Sequence, residues 1–284
     1  MYSLTAENKY GEQLELTHND AYVIKSIEGI DPPEAVINTT RNANADGSIF
    51  NSSYIDNRTI IITLAINAPA EINRINLYKY FPAKYPVRLH YKNGSRDVFI
   101  DGYVRSVQVD PFNKKEIAQI TILCPETFFS ASSNNITDFT SVEDNFEFPF
   151  SVEDPPGYIE FGQILLDQNK NIINVGDVET GIEFYIRAMG SITNPIIYNV
   201  DTNEFFKLSV NMVLGDEIYI NTKKKQKTVT MTHNAVTTNI IGNLVSGSTW
   251  FQLTPGDNIM MVTADNHPEN LNVYCVLTDM FEGV

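Results

Sequence analysis

From Asn174 to Leu208 the chain repeats one pattern that leaves few folds open to it. Strand-length runs with apolar and polar residues in rough alternation (Ile182, Phe184 and Ile186, then Ile196 and Tyr198) are separated by Gly-Asp, Thr-Gly, Met-Gly-Ser, Asn-Pro and Asp-Thr-Asn turns. A period of two sends successive side chains to opposite faces, and Gly, Asn, Asp and Pro supply the turn geometry between runs. No helix-period run interrupts the segment, and no catalytic residue types cluster in it. This is the pattern of an antiparallel β-sandwich face.

The 284 residues give room for two domains with separate cores, or for one large β domain. Hydrophobic residues at 43% and charged residues at 19% describe an ordinary globular protein. No apolar run approaches the roughly 20 residues that span a bilayer. The longest, Ile60 to Ala65, is strand-sized, which predicts no membrane insertion. The opening MYSLTAENKYGEQLEL lacks the basic start and apolar centre of a signal peptide. That predicts a protein made and kept in a cytoplasm, or released only by lysis. Cys124 and Cys275 lie far apart, each inside a strand-like run (ITILCP and LNVYCVL), and are expected to be buried free thiols.

The formal net charge is −15. Residues 1–145 carry 13 basic and 18 acidic side chains and residues 146–284 carry 7 and 17, hence −5 and −10. Such a balance argues against nucleic-acid binding, which depends on Lys and Arg neutralising phosphates. Self-repulsion that keeps the protein soluble is one use of it. A surface along which DNA passes without sticking is another.

The first part opens with strand-like runs at Gln13–Leu16 and Tyr22–Ile27, then a long polar stretch from Asn38 to Asn57 that reads as a functional or mobile loop. Arg58 to Ile66 is apolar on both faces and predicts a strand with neighbours on each side. A helix is predicted from about Pro69 to Phe81, with Asn67 as cap, Glu71 near the positive end of its dipole and Pro82 as its stop. Its apolar face is expected to bury Ile72, Ile75 and Leu77 or Tyr78. Val87–Tyr91 and Val98–Val109 flank Asn93-Gly94, a hairpin signal, and Glu116–Cys124 follows as a further strand. From Phe129 to Gly157 Ser, Asn, acids and prolines dominate, as in a connector. Later, Gly215–Asn221 and Lys227–Met231 form a predicted hairpin around Lys223, Lys224 and Lys225, a lysine turn read as solvated rather than as a partner site. Ser248–Leu253 is strand-like, with Phe251 and Leu253 inward and Trp250 on the more exposed side.

Chemistry-bearing residues do not converge. His18, His90, His233 and His267 are isolated from one another, with no metal-ligand spacing. No nucleophile elbow, phosphate loop or dinucleotide fingerprint is present. The acidic pairs Glu143-Asp144 and Glu153-Asp154 could mimic a glycosidase dyad, but a polar connector cannot desolvate one carboxyl to raise its pKa. The expectation is a non-enzyme with no catalytic, cofactor-binding or metal residues and no cofactor.

An ordered set of landmarks resembles the distal tail proteins (phage tail family, siphovirus-type tail components) of long-tailed phages with Gram-positive hosts. In the first half these are Arg58-Thr59-Ile60-Ile61-Ile62, the helix ending Leu77-Tyr78-Lys79-Tyr80-Phe81, Asp101-Gly102-Tyr103-Val104 and Ile120-Thr121-Ile122-Leu123-Cys124-Pro125. In the second they are Asn174-Val175-Gly176-Asp177, Asn194-Pro195, Gly215-Asp216 and Leu253-Thr254-Pro255-Gly256-Asp257-Asn258. The resemblance implies a mainly β protein: a split β-barrel-like N-terminal domain with one helix, then a galectin-like or carbohydrate-binding-module-like β-sandwich. It implies a baseplate hub at the virion tail tip, made in the bacterial host cytoplasm. It further implies a homohexameric ring that links the major tail tube protein to the tail-associated tip protein, with receptor-binding proteins as further partners and a channel through which DNA passes without specific binding.

The domains are expected at 1–128 (ring-forming), 129–157 (connector) and 158–284 (sandwich). Two other classes compete: a carbohydrate-binding protein that recognises host cell-wall polysaccharide through residues 158–284, and, more remotely, a glycan hydrolase.

Overall fold

The computed structural model describes residues 2–44, 46–112, 115–144, 162–166 and 169–284. It divides into two units, one of residues 1–133 with 280–284 and the other of residues 134–279.

The first unit is a mainly antiparallel sheet built from β1 (Ser3–Asn8), β2 (Gln13–Glu15), β3 (Tyr22–Glu28), β6 (Arg58–Ile66), β7 (Pro86–Lys92), β8 (Asp97–Val109) and β9 (Ile117–Cys124). Their order is β2-β1-β7-β8-β9-β6-β3, so the sheet has two ends and is split rather than closed. The thirteen-residue β8 makes the bend: its first half pairs with β7, its second with β9, and the register shifts between Val104 and Ser106. A bulge of this kind sharpens twist and lets one strand serve two directions. β6 has neighbours on both sides, as its apolar faces predict. Against its start lies Gly29, directly after β3, with φ +83; a Cβ there would lie 2.1 Å from the Thr59 carbonyl oxygen, so only glycine fits. Helix α1 (Ala70–Tyr80) follows β6, and β10 (Phe129–Ala131) pairs with β8.

The last strand, Met280–Phe281, pairs with β10, and the Val284 amide donates to the Ile30 carbonyl. Arg58, almost wholly buried, holds this tail in place. Its Nε donates to Thr127 O (2.6 Å), Nη1 to Gly29 O (2.6 Å) and Asp31 O (2.8 Å), and Nη2 to Glu282 O (2.5 Å), with the Phe129 ring beneath. The boundaries therefore differ from those expected. Phe129–Ala131 and the C-terminal five residues belong to the first unit, and Asn135–Asp138 to the second, because each extends a sheet already present. Residues 145–157 of the expected connector and the expected start of the sandwich (158–161) lie outside the described residues.

The second unit is a two-sheet sandwich. One sheet runs β11 (Asn135–Asp138), β23 (Leu271–Leu277), β15 (Ile182–Ala188), β19 (Glu217–Asn221), β20 (Thr228–His233) and β21 (Val236–Asn239). The other runs β14 (Asn169–Asn174), β22 (Gly256–Asn266), β16 (Ile192–Asn199) and β17 (Glu204–Lys207), with β18 (Asn211–Met212) on β16. A separate ribbon pairs β12 (Thr140–Asp144) with β13 (Gly162–Leu166). Phe184, Ile186 and Ile218 from the first sheet pack with Ile197, Phe206 and Met260 from the second in one core. The alternation seen from Asn174 to Leu208 is the inward–outward alternation of these strands. Ser248–Gln252 is not a strand; its Phe251 is nevertheless buried, and Leu253 forms one bridge to Thr180.

Candidate assembly surfaces

The stretch expected to be a long polar loop is a β-ribbon. β4 (Ala35–Arg41) and β5 (Ser48–Ile55) pair only with each other, and every described residue of both strands is exposed. The signal was present: Val36, Ile37, Thr39 and Thr40 are β-branched, and Gly47 takes φ +90 at the turn. The seven residues of β4 reach about 23 Å. A register shift after Asn38 puts Ile37, Thr39, Arg41, Phe50 and Ile55 on one face and Val36, Ile49 and Tyr54 on the other. The second face is laced by Asn38 Nδ2 donating to Ser52 Oγ and Asn51 Nδ2 to Thr40 Oγ1. Both faces thus expose large apolar side chains, Phe50 at 62%. An isolated two-stranded ribbon is marginal in water, and clustered exposed apolar groups mark contact surfaces.

Helix α1 corrects a second expectation. Leu77 and Phe81 are buried, but Ile72 and Ile75 are 66% and 58% exposed and Tyr78 is exposed beside them. The inward face is Ala70, Asn73, Arg74, Leu77 and Tyr80, and Asn73 and Arg74 on it have polar partners. Tyr22 Oη donates to Asn73 O (2.8 Å), Asn73 Nδ2 to Asn67 O (2.9 Å), and Arg74 pairs with Glu116 at 3.3 Å. The isoleucines are therefore free to line the outside. Glu71, Ile75 and Tyr78, at i, i+4 and i+7, with Ile72 alongside, form a stripe. Among the described residues neither Glu71 nor Arg41 has an ion-pair partner.

On the exposed face of the first unit's sheet, neighbouring charges on β1, β7 and the first half of β8 pair with one another. Arg88 makes a two-pronged pair with Asp101 (2.7 and 2.8 Å) and covers Phe99, Lys92 meets Asp97 (2.6 Å), and His90 meets Glu7 (3.0 Å). Hydrogen bonds from Gln13 and His90 hold the Glu7 carboxyl below its ordinary pKa, and the Lys92 bond does the same for Asp97.

On the second unit, Asp138, Tyr274, Tyr185, Tyr219, Thr230 and Asn239 form one row across the sheet. Tyr185 and Tyr274 are stacked, centroids 4.6 Å apart and 5° from parallel, so these two rings turn faces to each other rather than outward as a sugar platform. Glu183 Oε2 accepts from both Tyr185 Oη and Tyr219 Oη (3.1 Å each), and its Oε1 from Lys223 Nζ (2.7 Å). Burial raises the Glu183 pKa, but Lys223 and the phenols outweigh it and leave the carboxyl below its ordinary value. Burial and that carboxylate push Tyr185 up to about 12. Of the lysine turn, Lys223 is thus pinned to the sheet and Lys224 to Glu179 (2.5 Å). Trp250 packs edge-on against Phe206 at 5.0 Å, with Lys227 Nζ 5.4 Å from its centre. An open depression of about 380 Å³ is lined by neutral groups, with Asn194, Ser209, Asn211 and Asn243 above Met231 and Ile240.

The histidines remain apart: His233 meets Asp216 (2.6 Å), His267 meets Glu269 (3.0 Å), and His18 contacts the Tyr2 carbonyl. Among the described residues no group of three or more His, Cys, Asp or Glu could hold a metal. Both cysteines are buried and unpaired, with burial raising each thiol to about 12, far from a reactive thiolate. Glu143 and Asp144 sit in β12, while Glu153 and Asp154 lie outside the described residues. Among the described residues no helix is long and apolar enough to cross a membrane.

Two family models match in chain order: the phage tail protein RIFT-related domain over residues 9–124, and the siphovirus-type tail component C-terminal domain over residues 175–274. The chain is similar in fold to the Dit protein of phage SPP1, described as a paradigm of the hub adsorption apparatus in phages infecting Gram-positive hosts. That match has TM-score 0.70 and 12% identity over 99% of both chains. It is also similar to a chain of the phage P2 baseplate in its activated conformation with calcium (TM-score 0.53, 11% identity, 100% of both chains). The same baseplate with strontium gives TM-score 0.50 at 10% identity, again over 100% of both chains. No curated protein matches in sequence.

Proposed function

We propose how this chain, which belongs to the siphovirus-type tail components and is a structural distal tail protein of the phage baseplate hub, carries out its role. It assembles as a homohexameric ring through its first unit, joins the tail tube to the tail-tip protein, and leaves a channel through which DNA passes unbound. The role is mechanical and non-enzymatic. The observation that carries this is the pair of family matches, in order, on a chain whose full length follows the fold of the SPP1 hub protein. The unsupported ribbon and the apolar helix stripe support self-assembly, since both leave apolar surface in water on the unit assigned to the ring. Family membership supports virion location, with the tube and tip proteins as neighbours and receptor-binding proteins as further partners. The test is the mass of the purified protein by light scattering across a wide concentration range, with electron microscopy of any assembly. Six-fold mass and six-fold rings are expected; a single-chain mass throughout overturns the ring.

A further inference from the structure

We propose that the β4–β5 ribbon of one copy is an arm that lies on the outward stripe of α1 in the next copy, with Arg41 of the arm paired to Glu71 of the helix. This rests on the ring reading above and names its contact. The arm is unsupported within its own chain, with two open edges and apolar side chains on both faces. The stripe is the counterpart: apolar, exposed, on the same unit, and different in shape from the arm. Two unlike surfaces on every copy give a head-to-tail contact, and head-to-tail contacts that close make rings.

Spacing and charge fix the register. Along the arm, Ile37 to Arg41 spans about 13 Å of strand, with Phe50, paired to Thr39, midway on the same face. Along the helix, Tyr78 to Glu71 spans about 10 Å, with Ile75 between. When Ile37 meets Tyr78, Phe50 falls at Ile75 and Arg41 arrives beside Glu71. Two apolar contacts and one ion pair then form together, and two charges that have no ion-pair partner among the described residues find each other.

The experiment uses the full-length protein. Arg41→Glu and Glu71→Arg are each expected to weaken assembly several-fold, because like charges then meet, and the double variant is expected to recover it. In a mixture of differently tagged Phe50→Cys and Ile75→Cys chains, mild oxidation is expected to join one tag to the other. Both native cysteines are buried, so background coupling is low. All four positions are exposed, so the single chain keeps its fold, checked by circular dichroism. If wild type assembles, yet no cross-tag disulfide forms and both charge reversals assemble as wild type does, the arm-to-helix contact is overturned while the ring stands. A wild type that stays single-chain overturns the ring and this contact together.

Discussion

Arg58 donates from Nη2 to the main-chain carbonyl of Glu282, 2.5 Å away and 224 residues further along the chain. The guanidinium is buried without a carboxylate ligand; four main-chain carbonyls satisfy it instead. Its planar fork reaches carbonyls in several directions at once, which a lysine could not do. Chain ends far apart in sequence are thereby made one folding unit.

Arg58→Met is expected to cost about 3 kcal/mol or more, since several buried carbonyls lose their donor at once. Deleting Met280–Val284 is expected to destabilise the same unit. Trp250, the sole tryptophan, lies in the second unit, so its fluorescence tracks that unit while circular dichroism tracks both. The loss should appear in circular dichroism and not in the tryptophan transition. Unchanged melting after either change would mean that the tail is not held through Arg58. By the same reasoning a fragment ending at residue 128 lacks both β10 and the tail, and is expected to be a weaker ring-former than the whole first unit.

Leu77→Ala is expected to cost about 2–5 kcal/mol, since that side chain is fully buried. Ile75→Ala, on the exposed stripe, should change the stability of the single chain by no more than about 0.5 kcal/mol. Chemical denaturation of both variants at a concentration where the wild type is unassembled decides it. Equal losses would place the isoleucines in the core.

That pair also shows how far the sequence could be read. The existence and limits of α1 were legible from Pro69, Glu71 and Pro82, but its buried face was not. The inward Asn73 and Arg74 look like surface residues until Asn67 and Glu116 are in place to satisfy them. The sandwich was legible because rough alternation and turn residues recur from Asn174 to Leu208. The arm was missed because its polar positions, Asn38, Asn51, Ser52 and Ser53, resemble a loop, and no burial pattern distinguishes a strand exposed on both faces. Arg58 read as part of a strand; nothing local says that its charge must be met by carbonyls from three distant segments.

Glu183 makes the second unit sensitive at both ends of the pH scale. Its folded pKa lies below the ordinary 4.5, so its stabilising contribution is present above that value and is lost as pH falls through the folded pKa. Tyr185 has its folded pKa raised from 10.0 to about 12, so its contribution is complete below pH 10 and is lost as pH rises towards about 12. Denaturation followed by Trp250 fluorescence across these two windows should show both losses. Glu183→Gln should remove the acid-side loss and bring phenolate absorbance for Tyr185 to lower pH; an unchanged tyrosine titration would show that the carboxylate does not control it.

The last expectation concerns DNA. Binding the duplex depends on free Lys and Arg charge, and affinity then falls steeply with salt. The chain carries −15, and on the first unit Arg74, Lys79, Arg88 and Lys92 each sit against a carboxylate while Arg58 is buried. Lys25, Lys84 and Arg105 keep their charge without an ion pair among the described residues, so the expectation rests on the excess of acidic over basic side chains, and the arm-to-helix contact would use Arg41 as well. The assembled protein is therefore expected not to bind short duplex DNA even at low salt, measured by fluorescence anisotropy. Arg88→Ala and Lys92→Ala, which expose Asp101 and Asp97, should leave that result unchanged, whereas Asp101→Ala with Asp97→Ala frees two cations and should produce weak, salt-sensitive binding if this face lines the channel. Appreciable salt-sensitive binding by the wild type would mean a basic lumen and would defeat the idea of a channel that DNA crosses without being held.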